Sequence, residues 1–350
     1  MSLASALKTG DVTELPSRRD EDWRWTDLRG LIRTLPKIYQ HAGTGVEGPF
    51  REATEFSANR TVSVTNGYVD GLGVGPLVFD AHDPVVALNV RSAGDLIGLV
   101  TALKVRVPSG VSGVLLESHV GEGGYLADFR LDITVEDGAA LERIVLVDDD
   151  AQAVNVVTAE VSLAPGAQYA QTVLTSGARR QRIETRVSHP GAHAQVRLDG
   201  AYLLDAQRHA DQTTVVTHAG VDGVTSQLTK GMVTDQARGV FQGRIVVSPG
   251  ADQTDARMGH HALILSDKAE IDAKPELLIF ADDVSCAHGN TIGALDEEAI
   301  FYARQRGIPE AEAKAMLTVA FVGEVVERIE HDGAREIAAA WVARKLGSPA

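Results

Sequence analysis

The chain has one cysteine in 350 residues, Cys286. No disulfide can form within it, which fits a reducing compartment, although a secreted protein can also lack bridges. Basic residues are outnumbered, 33 Lys and Arg against 48 Asp and Glu, for a formal net charge of -15. That balance disfavours nucleic acid and anionic membrane, both of which require a basic face. It leaves room for a protein partner with a basic surface. No uninterrupted apolar window reaches the length of a membrane span. Met1 to Asp22 mixes small, polar and charged residues and has no apolar core of an export signal. The expectation is a soluble cytoplasmic protein. Nucleotide motifs are missing too: there is no G-x-x-x-x-G-K-[ST], no G-x-G-x-x-G opening a helix after a strand, and no G-x-S-x-G. Any ATP-driven step has to come from another protein.

What is present is apolar character. At 44% hydrophobic, the chain is globular rather than disordered, and it is long enough for more than one domain. Residues 1–55 read as an N-terminal helical segment. Leu3, Ala6 and Leu7 have helical spacing, Pro16 interrupts, and Asp20-Glu21-Asp22 supply first-turn acids for a helix carrying Trp23, Leu28, Leu31 and Ile32. Trp23 and Trp25 read as anchors of this segment on the rest of the chain. Residues 56–293 are β-rich. Short runs such as Phe129 to Val135, Leu141 to Val147 and Val196 to Leu198 alternate apolar and polar, the period-2 signal of strands. Turn signals recur at Gly138, Gly166, Gly177, Gly191, Gly200, Gly220, Gly231, Gly239 and Gly250. A short helix is expected only at Ala93 to Leu103. Both a β-sandwich and a β-solenoid suit this texture, and no residue-level repeat decides between them. A helical segment at each end suits a solenoid, whose open ends need covering.

Residues 294–350 form a C-terminal helical domain. Asp296 caps the first helix, Gly307 stops it, and Pro309 starts the second. That second helix is apolar nearly all round, through Met316, Leu317, Val319, Phe321, Val322, Val325, Val326 and Ile329. Only about fifty residues surround it in the sequence, too few to bury every side, so the expectation is a partner-protein surface made by Phe301, Tyr302, Met316, Leu317, Phe321 and Val325.

Soft-metal chemistry is available at one place, KPELLIFADDVSCAHGNTIGALDEEAIFYARQRG, from Lys274 to Gly307. Gly289 and Gly293 break the strand pattern there. Cys286 and His288 are two apart, so in extended backbone they share a face and one metal can meet both. The pair alone gives two ligands of the four a closed site needs, and the plainer reading is a buried small cysteine beside a turn histidine. His260 is a candidate third ligand, because adjacent His260 and His261 face opposite ways in a strand. His209 and His218 read as strand histidines. Asp282 and Asp283 would also face opposite ways, which argues against a paired-carboxylate device.

The segments DQTTVVTHAG, TSQLTKGMVTDQARGVFQGRIVV, LSDKAEIDAKPELLIFADDVSCAHGNTIGALDEEAIFYARQRGI and EAKAMLTVAFVGEVVERI, with LPSRRDEDWRWTDL near the start, resemble the SufB/SufD family of iron–sulfur cluster assembly subunits. The DDVSCAHG form and the single cysteine place the resemblance on its SufD branch. The resemblance implies a right-handed parallel β-helix core flanked by helical domains. It implies pairing with a SufB-like subunit and docking of a SufC-like ABC ATPase on the C-terminal helices, with a homodimer open to the isolated chain. It also implies that His288, with Cys286 as a neighbour, meets iron or a nascent cluster that passes transiently through the complex, with no tightly bound cofactor in the isolated chain. The family often has an asparagine-rich run where this chain has Met258-Gly259-His260-His261. Two other classes compete: a secreted-type β-helix carbohydrate lyase or hydrolase, and a stand-alone zinc protein using Cys286, His288 and His260.

Overall fold

The computed structural model describes residues 1–39, 59–73 and 75–347. The part of the N-terminal expectation beyond Tyr39 lies outside the described residues. Strands run from β1 (Arg60–Thr65) to β18 (Val284–Gly293), those from β4 (Val85–Ala93) onward about ten residues long, and after the first two the chain visits two sheets in turn. Even-numbered strands from β4 onward form one sheet of ten with β1 and β2 (Tyr68–Asp70); odd-numbered strands from β3 (Leu77–Val78) to β17 (Glu270–Ile279) form a sheet of eight. Neighbours within a sheet are parallel, apart from the β1–β2 hairpin. The fold is therefore a parallel β-helix, in which each coil stacks on the one before.

Alternation along each strand fills the lumen. In β12 (Gln195–Leu204), Val196 and Leu198 point in and join Leu131, Val145, Val157 and Val173 from other coils. Outer faces differ along the coil axis, and this explains the uneven pattern in the sequence. Where an outer face meets solvent the burial alternates, as in β7 (Leu126–Val135). Where helices cover it the strand is buried on both sides, as in β14 (Val224–Val233).

Several turn glycines hold left-handed corners, among them Gly138, Gly166, Gly177, Gly191 and Gly250, with φ from 62° to 78°. Gly200, Gly231 and Gly239 do not mark turns. They lie inside strands, and a Cβ on Gly231 would sit 2.1 Å from Cζ of Tyr202. Their missing side chains make room for large lumen residues. Ala93 to Leu103 is not helical either: it ends β4 and begins β5 (Gly98–Val107).

The N-terminal segment contains little helix. Helix α1 (Leu3–Thr9) and the single turn α2 (Leu28–Leu31) are joined by two short 3-10 turns, one of which holds Trp23. The segment buries Leu3, Leu7, Leu15 and Leu28 against Leu126, Val154 and Val156 on the outer face of the eight-stranded sheet. It then runs as a strap across the following coils. Arg182 lies over the Trp23 ring at 4.5 Å, Thr26 donates to Asp211, Arg244 pairs with Asp22 at 3.0 Å, and Lys274 reaches Glu21 at 2.7 Å. The Trp23 ring is thus an anchor, whereas Trp25 meets the solenoid through its backbone carbonyl, which faces His209.

Three helices follow the solenoid: α3 (Glu297–Gln305), α4 (Glu310–Val326) and α5 (Asp332–Lys345). Asp296 caps α3 through the amides of Glu298 and Ala299, and Gly307 ends it with a φ of 85°. Among the described residues, neither helical segment covers an end of the β-helix as the sequence suggested. Both lie on sheet faces, because those outer faces carry apolar residues that need burial. Val322, Val325, Val326 and Trp341 pack on Leu116, Ile144, Leu203, Leu228 and Met232 of the ten-stranded sheet. That packing also corrects the expected partner surface. Val325 is fully buried within the chain. Its cover comes from the sheet, through residues distant in sequence, and not from the neighbouring helices alone.

Candidate functional site at the open end of the solenoid

The last coil has no successor among the described residues. Strand β17 pairs with β15 (Arg238–Val247), and β18 pairs with β16 (Thr254–Ile264); each has a partner on one side only. Their free edges lie beside exposed apolar side chains, Leu278, Ile279, Phe280 and Ile292. Solenoids usually blunt such an edge with charge, proline or a covering loop. The single proline here, Pro275, faces Gly243 in register and leaves most of β17 free to pair.

The site grows out of strand alternation in β18. Val284 and Cys286 pack inward on Phe241, Ala256 and Met258. His288 and Asn290 follow on the same side, opposite Met258 and His260 in register. Strand β18 runs on through Gly289 to Gly293, so those glycines do not break it. Cys286 is half-buried, and burial pushes its thiol above the usual range. That burial disfavours the thiolate, and the sulfur packs against the core of the preceding coil. His288 is exposed at the mouth of the lumen, with no side-chain hydrogen bond among the described residues. Asp282 and Asp283 lie in the exposed turn between β17 and β18.

His260 is not available as a metal ligand. Its ring stacks on Phe241 with centroids 4.5 Å apart and planes parallel. Nε2 lies 2.9 Å from the Tyr202 hydroxyl, and Nδ1 lies 2.7 Å from Asn290 Oδ1. Both nitrogens are therefore engaged, and burial pushes the imidazole down to about 4. An amide oxygen only accepts, so Nδ1 carries the proton and Nε2 accepts from Tyr202. His260 thus holds Asn290 in place beside His288. Register explains the failed expectation: His260 stands across from Asn290 rather than His288, on the neighbouring coil. Among the described residues no three His, Cys, Asp or Glu side chains gather to hold a metal ion.

His209 and His218 are core residues. His209 Nε2 lies 3.1 Å from the Trp25 carbonyl, and desolvation takes it down to about 3. His218 stacks on His189 at 4.3 Å, lies 2.9 Å from the Thr225 hydroxyl, and is also lowered to about 3 by burial. His261 lies on the outer face of β16, with Nδ1 2.7 Å from Thr291 Oγ1. Tyr202, Asn290 and Thr291 carried no signal in the sequence. Their partners are one or two coils away, and the coil length is not legible as a repeat.

A second surface lies on the C-terminal helices. Phe301 and Tyr302 on α3 and Met316 on α4 are 63%, 61% and 54% exposed. Leu317 and Phe321 are half-buried. A cleft of about 550 Å³ separates these helices from the strand ends, lined in part by Leu203, Met232, Leu295, Ile300 and Lys314. No helix among the described residues is long and apolar enough to cross a membrane.

These features define a parallel β-helix with an unpaired last coil and exposed apolar helices beside it. Residues 90–321 match the family described as SUF system FeS cluster assembly, SufBD core domain, and the chain belongs to that family. The iron–sulfur cluster assembly protein SufD of Escherichia coli K12 is 28% identical, over 98% of this chain and 91% of the relative. An iron–sulfur cluster assembly SufBD family protein of Mycobacterium tuberculosis H37Rv is 26% identical, over 96% and 90%. The SufD of Bacillus subtilis 168 is 32% identical over 38% of this chain and 31% of the relative.

Proposed function

We propose that the chain is a non-catalytic scaffold subunit of a Suf-type iron–sulfur assembly complex. It pairs with a SufB-like subunit by continuing both sheets across the open end at β17 and β18. It docks a SufC-like ABC ATPase through Phe301, Tyr302, Met316 and the accessible parts of Leu317 and Phe321. Iron or a nascent cluster is cargo at the subunit junction, where His288 meets it. The observation that carries this reading is the uncovered end itself: two edge strands, an apolar rim, and one uncommitted imidazole at the mouth of the lumen. Paired strand edges supply backbone hydrogen bonds, and the rim supplies apolar area. Cys286 serves as packing beneath His288. The missing nucleotide motifs agree with an ATPase supplied in trans.

The carbohydrate-enzyme reading has no matching device. Outer-face acids near the open end are committed to ion pairs, Asp272 with Arg238 and Glu276 with Arg244. The zinc reading loses its third ligand at His260.

The test is co-purification of the chain with SufB and SufC partners, wild type against His288→Ala, followed by iron and sulfide determination. A mutant complex that assembles but carries several-fold less iron and sulfide supports the reading. Unchanged cargo makes His288 architecture. Failure of the wild-type chain to bind either partner, or pairing only with a second copy of itself, overturns the scaffold assignment.

A further inference from the structure

Helix α4 rests on β12 and β14, whereas the strand that carries His288 is β18, two coils' width beyond β14 in the same sheet. A single register line on the outer face spans that gap. Lys230 of β14 stands opposite His261 of β16, and His261 stands opposite Thr291 of β18. At the helix end, the Lys230 ammonium lies 2.7 Å from Glu324 and 4.5 Å from the centroid of the Phe321 ring, both on α4. Lys230 is only 7% exposed, and Glu324 is the carboxylate it pairs with. At the strand end, His261 Nδ1 is 2.7 Å from Thr291 Oγ1. Between the two, the His261 ring lies in the field of both Lys230 and Glu324. Burial and then Lys230 hold it below the ordinary imidazole range, and Glu324 opposes them.

We propose that Lys230, His261 and Thr291 are positioning residues that tie edge strand β18, and with it His288, to helix α4. The inference rests on the partner reading above. Within this chain β18 is held by a ladder on one side only, so in the complex it is the strand that lies at the subunit junction. Thr291 faces outward and is three residues beyond His288, which faces the lumen mouth. A shift of β18 at Thr291 therefore moves the imidazole. The C-terminal end of α4 is separately fixed, because Arg328 pairs with Asp199 at 3.1 Å and donates to Ser226 at 2.9 Å. Glu324, one turn earlier, is where a pull on the exposed helices reaches the sheet beyond that anchor. A docked ATPase that moves α3 and α4 thus acts on Lys230 first, then on His261 and Thr291. The adjacent histidines have separate roles. His260 fixes Asn290 on the inner face, and His261 links Thr291 to the helix on the outer face.

The experiment is hydrogen–deuterium exchange of the peptide covering Val284–Gly293 in the purified complex with its partner subunit and ATPase, with and without a non-hydrolysable ATP analogue. Thr291→Val keeps the branched shape and removes the hydroxyl. Lys230→Met keeps the stem and removes the charge. In the wild type, nucleotide changes the exchange of this peptide by about fivefold, the scale set by one hydrogen bond. In either variant the nucleotide-linked change falls to less than half, while complex yield is unchanged. A ladder that merely stabilises the fold would alter the nucleotide-free exchange and leave the nucleotide-linked difference at wild-type size, and that result overturns the proposal. A wild-type complex with no nucleotide-linked change at β18 also overturns the proposal, whereas failure of the complex to form overturns the partner reading on which it rests, which distinguishes the two failures.

Discussion

Deep in the lumen, Arg143 donates to both oxygens of Glu117, at 2.8 and 2.9 Å, and both side chains are fully buried. His119 Nε2 lies 2.6 Å from the same carboxylate, and Arg143 also donates to Gln171 at 2.8 Å. Burial alone would raise the Glu117 pKa, but the charge of Arg143 and the bonds from His119 and Arg143 more than offset it and bring the carboxyl down to about 2. Glu117→Gln leaves a guanidinium in the lumen without a counter-charge, a loss of about 3–5 kcal/mol. Adding Arg143→Met removes the stranded charge. Gln171 still accepts from Tyr169 and Thr185, and residue 117 still faces His119. The double variant is therefore expected to recover at least half of the loss. The assay is a double-mutant cycle from urea unfolding at pH 7, read by circular dichroism, with exchange on β6 (Ser112–Glu122) and β8 (Ala140–Asp148) to confirm where the loss falls. If the double variant is as unstable as the two single losses added together, the pair is not acting as one charge-compensated unit and the reasoning fails.

Val325→Asp is expected to unfold the C-terminal helices from the sheet at a cost of several kcal/mol. Phe301→Asp, on an exposed position, is expected to leave the melting temperature unchanged and weaken only ATPase docking; thermal melts and pull-downs separate the two. His209, His218 and His260 are neutral in the fold, with pKa values lowered to about 3, 3 and 4. Their unfolded values are near 6.5, so the unfolded chain takes up protons first as pH falls. The stability contributed by their neutral burial is whole above pH 6.5 and is lost as pH falls toward 4. Unfolding free energies from urea titrations at pH 7 and pH 5 are expected to differ by on the order of 1–2 kcal/mol per histidine. Gly231→Ala forces a methyl group against the Tyr202 ring. It is expected to cost about 1–3 kcal/mol and to loosen the Tyr202–His260–Asn290 chain, seen as faster exchange at Asn290.

How much of this was legible in the sequence varies with the range of the interaction. Alternation in strands such as β7 was plain, because one face meets solvent and the other fills the lumen. Helix caps at Asp296 and Gly307 were also plain, because capping is local. The covered strands were less so, since burial on both faces erases the period. Val325 was misplaced because its cover comes from Leu203 and Leu228, which are distant in sequence. The fold class came from a family resemblance rather than from texture, which left a sandwich open. At the site, spacing placed Cys286 and His288 on one strand face and the family resemblance singled out His288, while the placement of His260 beside them failed because cross-coil register decides its neighbours. Asn290 and Thr291 are ordinary strand residues that matter only once that register is known.

The N-terminal strap crosses the outer face of the eight-stranded sheet from β7 to β17, roughly 24 Å at the ordinary strand spacing. Helices α4 and α5 lie along the opposite sheet. The β-helix is thus splinted on both broad sides, like a beam laminated top and bottom, and it resists bending along its length. A load applied through the helices cannot be absorbed by flexing the middle coils. Compliance is left to the last coil, whose strand β18 has a neighbour on one side only.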